Sequence, residues 1–293
     1  MGGERGLPGP FGGKDLKPPA TPARVIGLTG APGAGKSTVT GALVAGFLAR
    51  GATVAVLAID PSSPFSGGAL LGDRVRMQGH ATEPGVFIRS MGSRGRLGGL
   101  SAAAPQAIRI LQAAGYRVIL VETVGVGQAE VEIASAADTT VVLVVPGMGD
   151  SVQAAKAGVL EVADVLVVNK ADRPDTQAAV RDLRAMVALA PAGWRPPIVT
   201  TVATANEGID DLLVELDRHN AWLDESGERT RRRLARARDE VTALAFGQLA
   251  ARLAAPTSSP PASPTATSAR IRPPPGYSPP SACPSLPATS GRA

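Results

Sequence analysis

The sequence predicts a doubly wound α/β domain with a mainly parallel sheet, followed by a C-terminal helical arm and a disordered tail. Two observations carry this. Short β-branched runs alternate with amphipathic helical stretches over residues 24–223. The runs are also continuously apolar rather than alternating, as strands covered by helices on both faces must be. Right-handed crossovers then wind the helices onto both sides of the sheet. Strand order is not legible at this level.

The elements follow in order. Residues 1–23 are rich in Gly and Pro without periodicity and read as a flexible lead. Strands are expected at Val25–Thr29, Thr53–Ile59, Val86–Ile88, Val118–Val121, Thr140–Val145, Val165–Val168 and Ile198–Val202. Helices are expected at Lys36–Arg50, Ser101–Ala114, Glu130–Ala137, Ser151–Val162, Thr176–Ala190 and Ile209–Leu223. The arm, 224–255, holds one long helix over Glu228–Leu253 with six arginines and three acids in its first half. That charge reads as a solvated face, with packing on a second subunit as the sharper alternative. Residues 256–293 hold 11 Pro and 8 Ser and cannot bury a core.

Composition excludes several classes. Hydrophobic residues are 44% of the 293 but aromatics only 3%, so the core is built from Ala, Val, Leu and Ile. With Cys283 alone, and only His80 and His219, neither a disulfide framework nor a Cys- or His-rich metal site is expected. No apolar run approaches the roughly 18 residues of a membrane span, and the N-terminus lacks an apolar signal core. The expected compartment is the cytoplasm. The net charge of +5 is misleading, because the tail from 256 contributes three arginines and no acid. The remainder is close to neutral, and no nucleic-acid or membrane surface is expected.

The chemistry begins at Gly30-Ala31-Pro32-Gly33-Ala34-Gly35-Lys36-Ser37, which fits G-x-x-x-x-G-K-[ST] between a strand and a helix. Its glycines let backbone N–H groups close around α and β phosphates, and the helix N-terminus adds partial positive charge. Lys36 is expected to reach the β and γ phosphates and the Ser37 hydroxyl to bind Mg²⁺. Thr38, next on the helix, joins the nucleotide-binding set. Lysine usage points the same way: 24–255 contains 21 arginines but lysine only at 36, 156 and 170. Lysine is kept where a compact ammonium is needed rather than a planar fork.

Asn169-Lys170-Ala171-Asp172 follows an apolar strand. A carboxylate there can accept from the N1–H and 2-amino group of guanine, a donor pair that adenine lacks, so Asp172 would select guanine. The Lys170 stem can lie along the purine. Thr200-Thr201-Val202-Ala203 can present backbone N–H groups, Ala203 included, to the guanine carbonyl. Asp60 and Glu122 each end an apolar strand and are expected to face the γ-phosphate and Mg²⁺. Gly125 lets its N–H approach the γ-phosphate. The long segment 61–99, rich in Gly and charge, fits a γ-phosphate sensor.

Together these residues resemble the G3E family of P-loop GTPases, and within it the MeaB/ArgK branch of methylmalonyl-CoA mutase-associated GTPases. The resemblance rests on Gly30–Ser37, Ala58–Ser63, Leu71–Met77, Phe87–Met91, Ser93–Gly95, Leu97–Gly99, Val121–Gln128, Pro146–Asp150, Gln153, Lys156 and Asn169–Asp172. It implies a GTPase, with GTP and Mg²⁺ as ligands, that chaperones an adenosylcobalamin-dependent mutase and couples hydrolysis to cofactor loading and protection. It also implies a homodimer formed through the arm. Asp60, Asp73 and Glu122 match the acidic positions near Mg²⁺ and the attacking water, and either Glu122 or Asp73 orients that water. Residues 149–158 match a further switch that senses the partner. The alternative within the family is a metallochaperone GTPase for another metalloenzyme. Its nickel-delivering members carry a His- or Cys-rich segment that this sequence lacks.

Overall fold

The computed structural model of this 293-residue chain describes residues 22–60, 79, 82–92, 103–123, 129–147, 162–190 and 193–254. Residues 1–21 of the expected lead, 151–161 of the expected helix Ser151–Val162 and the Pro/Ser tail lie outside them, while Ala23 of the lead is buried in the core. Seven strands form one sheet: β1 (Arg24–Gly30), β2 (Val54–Asp60), β3 (Val86–Gly92), β4 (Val118–Thr123), β5 (Thr139–Val144), β6 (Val165–Asn169) and β7 (Ile198–Thr201). The helices are α1 (Lys36–Ala49), α2 (Ala104–Ala113), α3 (Ala129–Ala136), α4 (Thr176–Val187), α5 (Ile209–Glu225) and α6 (Glu228–Ala254).

The strand order is β3-β2-β4-β1-β5-β6-β7, and every pairing is parallel. β1 is central, between β4 and β5. After β4 the chain crosses to the other side of β1, so the sheet changes winding direction there. Ligands of such sheets bind beyond the carboxyl ends of the strands at that point. Register decides which residues meet there: Leu28 is opposite Glu122 on β4, and Gly30 is opposite Leu143 on β5.

The strands bury both faces by simple alternation. Val165 and Val167 join α1 and α5 in one core, with Val39, Leu43, Phe47, Leu212, Leu213 and Leu216. Leu166 and Val168 turn to the opposite face, against Val180 and Leu183 of α4. That same face holds a third cluster, in which Ile108 and Leu111 of α2 and Ile133 of α3 cover Ile119 and Val121. Fully burying one such side chain contributes about 1.5–3 kcal/mol, so a core that is aliphatic but for Phe47 and Tyr116 needs little aromatic bulk. Close approach sets two helix positions. A Cβ on Gly27 of β1 would lie 2.7 Å from Ile133, and one on Gly46 of α1 would lie 2.5 Å from Leu213.

β3 runs to Gly92, beyond the expected end at Ile88, because all seven of its residues pair with β2 although Arg89 and Ser90 are polar. The solvated reading of the α6 arginines is corrected for four of the six. Arg229, Arg232, Arg233 and Arg236 turn toward Asp138, before β5, and Asp164, before β6. The physical cause is that these two carboxylates are 2% and 6% exposed, and a buried charge requires partners. Arg231, 80% exposed, and Arg238, also exposed, are the two that match the solvated reading.

Burial alone would push the Asp138 carboxyl up, but hydrogen bonds and charge from Arg233 and Arg236 outweigh it and hold it below its ordinary value. At Asp164 burial is likewise outweighed, by His219 and Arg232. The chain divides into two compact units at residues 242 and 243. The described part of the second, 243–254, is helical. No helix among the described residues is long and apolar enough to cross a membrane.

Candidate functional site

The turn from β1 into α1 is built by glycine. Gly30 has φ 141°, and a Cβ there would collide with the Leu143 carbonyl oxygen. Gly35 has φ 88° and precedes α1, and a Cβ there would collide with Asn169 Nδ2. Such φ values are closed to most L-residues. Pro32 and Gly33 are exposed, Ala31 and Gly35 half-buried, and Ala34 is fully buried. The first turn of α1 leaves backbone N–H groups without intrahelical acceptors. Within this turn the Val39 N–H donates to the Gly35 carbonyl at 2.9 Å.

The Lys36 ammonium folds back over the turn and donates to the carbonyls of Gly30 (2.8 Å) and Ala31 (3.0 Å). Its side chain is therefore already inside the loop, and only 7% of the residue is exposed. The Ser37 hydroxyl donates to Glu122 Oε1 at 2.6 Å. Ser37 is 8% and Glu122 3% exposed, so a hydroxyl and a carboxylate from α1 and β4 converge in a sheltered place. Beneath them the hydroxyls of Thr123 and Thr29 are 3.5 Å apart. Thr38 is exposed.

A second group of residues comes from β6 and β7. Asn169, 3% exposed, donates its Nδ2 to the Ala34 carbonyl at 2.8 Å. Its Oδ1 accepts from the Thr201 hydroxyl at 3.0 Å and the Ala203 N–H at 3.3 Å. The Ala203 N–H expected to face a guanine carbonyl is thus engaged by Asn169 here. Lys170 adopts φ 60°, turning the chain out of β6 and leaving Asp172 exposed. Sequence reasoning missed Thr201 as the hydroxyl that orients Asn169. Its signal is a buried polar residue ending the strand that registers with Asn169.

Thus Ser37 meets Glu122, Lys36 closes on the loop carbonyls, and Asn169 joins the loop to Ala203. Asp60 ends β2 opposite Gly92, and its side chain is not among those described. Asp73 and Gly125 lie outside the described residues, as do the expected switch positions 149–158.

A protein-family comparison matches residues 14–258 to "Methylmalonyl Co-A mutase-associated GTPase MeaB". A Pyrococcus abyssi protein with GTPase in its name is 49% identical over 238 residues, covering 80% of this chain and 74% of its own. The mitochondrial methylmalonic aciduria type A homolog of Caenorhabditis elegans is 36% identical over 219 residues, covering 71% of this chain and 54% of its own. Among solved structures, a crystal structure titled as a LAO/AO transport system kinase superposes with TM-score 0.64 at 28% identity, covering 81% of this chain and 72% of that one. The family match spans the phosphate loop, the Ser37–Glu122 pair and the Asn169 segment, and the chain belongs to the MeaB family of methylmalonyl-CoA mutase-associated GTPases.

Proposed function

We propose that this chain binds GTP with Mg²⁺, hydrolyses it, and serves an adenosylcobalamin-dependent mutase of the methylmalonyl-CoA type as a chaperone, coupling hydrolysis to cofactor loading and protection. One observation supports it above the others: Asn169 hydrogen-bonds the phosphate-loop carbonyl of Ala34. A base-reading segment and a phosphate-reading loop are thereby parts of one site. The oxygen donors of Ser37 and Glu122 suit a hard divalent cation that keeps waters and phosphate oxygens as its remaining ligands.

In this reading Gly30 to Thr38 surround the phosphates, with Lys36 exchanging its two loop carbonyls for β- and γ-phosphate oxygens. Ser37, Glu122 and Asp60 hold Mg²⁺, which when bound neutralises charge developing on those oxygens. Glu122 or Asp73 orients the water for in-line attack, and Gly125 presents its N–H to the γ-phosphate. Asn169, Lys170, Asp172 and Ala203 hold the guanine, with Asp172 rejecting adenine because its carboxylate would lose both donors. The nucleotide domain is 24–223, preceded by the lead at 1–23 and followed by the arm and the tail at 256–293. The arm at 224–255 brings two copies together in the cytoplasm. Leu234 and Val241 on α6, 51% and 66% exposed, offer apolar surface for this.

The test is calorimetric titration of the full chain with GTP, GDP and ATP in Mg²⁺, then phosphate release with and without purified mutase. Binding of guanine nucleotides alone, with hydrolysis accelerated by the mutase, is expected. No heat with GTP would remove the nucleotide assignment. Turnover indifferent to the mutase, and no co-purification in a non-hydrolysable GTP analogue, would remove the chaperone role.

A further inference from the structure

The buried ion cluster under α6 sits at the far end of a short helix that follows, in the chain, the strand carrying Glu122. Residues 124–128 alone separate Thr123, which follows Glu122 on β4, from Ala129, where α3 starts. α3 is eight residues long, about 12 Å at 1.5 Å per residue. Its middle is seated on β1, where Ile133 packs into the space left by Gly27, three residues before the phosphate loop opens at Gly30.

The other end is gripped by α6. Asp138 accepts from Arg233 at both oxygens, Oδ1 at 3.1 Å and Oδ2 at 2.5 Å, and from Arg236 at Oδ1, 2.5 Å. Arg236 also donates to the Ala137 carbonyl, and Arg232 donates to the Asp138 carbonyl at 3.0 Å. Arg232 reaches further, to both oxygens of Asp164 at the entry to β6, each at 3.0 Å. One face of α6 therefore holds the end of α3 and the start of the strand that carries Asn169.

We infer that α6 over 228–242 and the γ-phosphate end of the site are coupled through α3, the Asp138 cluster and the Ile133–Gly27 seat. This rests on the nucleotide reading given above. A helix seated at its middle turns displacement at one end into displacement at the other. The guanidinium forks of Arg233 and Arg236 have fixed geometry, so a displaced Asp138 cannot keep both pairs. The triphosphate and diphosphate forms then differ in how firmly α6 is held. By reciprocity, loosening α6 changes the relative affinity for the two nucleotides. The groups facing Asp138 and Asp164 are Arg229, Arg232, Arg233, Arg236, His219 and the N–H groups of Val25 and Thr140.

The experiment is hydrogen exchange on the full chain with Mg²⁺, bound to GDP or to a non-hydrolysable GTP analogue. The same pair of affinities is measured by calorimetry for the wild type, Arg233→Ala/Arg236→Ala and Arg231→Ala. Amides of 228–242 are expected to exchange at rates differing at least five-fold between the two nucleotides. The double variant should lose that difference and shift the GTP-analogue-to-GDP affinity ratio by at least five-fold. Arg231→Ala, which removes only an exposed pair with Glu228, should leave both unchanged. Equal exchange in the two nucleotide states of the wild type overturns the coupling while leaving nucleotide binding intact. A shift in Arg231→Ala as large as in the double variant overturns it too, because general loosening of the helix then suffices. Absence of any nucleotide binding removes the underlying reading and the coupling with it.

Discussion

Asn169 donates to the Ala34 carbonyl at 2.8 Å, joining segments 135 residues apart in the chain. Its carbonyl oxygen meanwhile accepts from Thr201 and Ala203. A single buried amide thus fixes the phosphate loop against both segments expected to read the base. Asn169→Ala leaves these partners unsatisfied in a buried place, at about 1–3 kcal/mol for a lost buried partner. GTP and GDP affinities should fall together, roughly 5- to 150-fold. Titration that finds both within two-fold of wild type would deny Asn169 this organising role.

The 2.6 Å contact of the Ser37 hydroxyl with Glu122 makes a separable pair of predictions. Ser37→Ala removes the hydroxyl proposed to bind Mg²⁺, so GTP affinity should lose most of its dependence on Mg²⁺. Glu122→Gln keeps the shape and an acceptor but removes the charge. GDP affinity should stay within a few-fold, while the hydrolysis rate should fall on the order of 10²-fold or more. Equal losses in binding and in rate would make Glu122 a structural partner of Ser37 only.

Asp172 is exposed at the end of the turn that begins with Lys170 at φ 60°. Because it is not packed into the core, Asp172→Asn should fold normally, which thermal melting checks. The preference for GTP over ATP should then narrow by roughly 10-fold or more, since one bidentate acceptor is lost. Competition of ATP against a fluorescent GTP analogue measures this. An unchanged preference would take base selection away from Asp172.

What the sequence makes legible here follows from how locally each feature is determined. The phosphate loop needs glycine at Gly30 and Gly35 for φ values no other residue favours, so it is written in eight consecutive letters. Strands β5 and β6 are apolar on both faces and read as runs. β3 is misjudged because it lies at the sheet edge, where Arg89 and Ser90 are tolerated. Strand order is set by crossovers among distant segments, which no local pattern records. The α6 arginines fail for the same reason, since their partners Asp138 and Asp164 are 98 and 68 residues away. One trace was nevertheless present: 229, 232, 233 and 236 recur at the spacing of one helix face, facing two acids that each immediately precede an apolar strand.

The same two acids set the pH dependence of folding. Their carboxyl groups lie below the ordinary carboxylate range in the folded chain, despite burial, because arginines surround Asp138, and His219 with Arg232 faces Asp164. A folded-state value below the unfolded one, about 3.9 for Asp, means the folded protein binds fewer protons in that window. The stabilisation is then complete above the unfolded value and is lost as pH falls through the folded one. Asp138→Asn removes a buried charge from among part-buried guanidinium groups and should cost about 3–5 kcal/mol at pH 7. Urea denaturation of wild type and variant should show that gap unchanged from pH 7 to 5 and closing as the wild-type carboxylate protonates below about 4. A gap equally wide at every pH at which both proteins fold would assign the loss to altered packing, and the ion cluster would no longer account for how α6 is held.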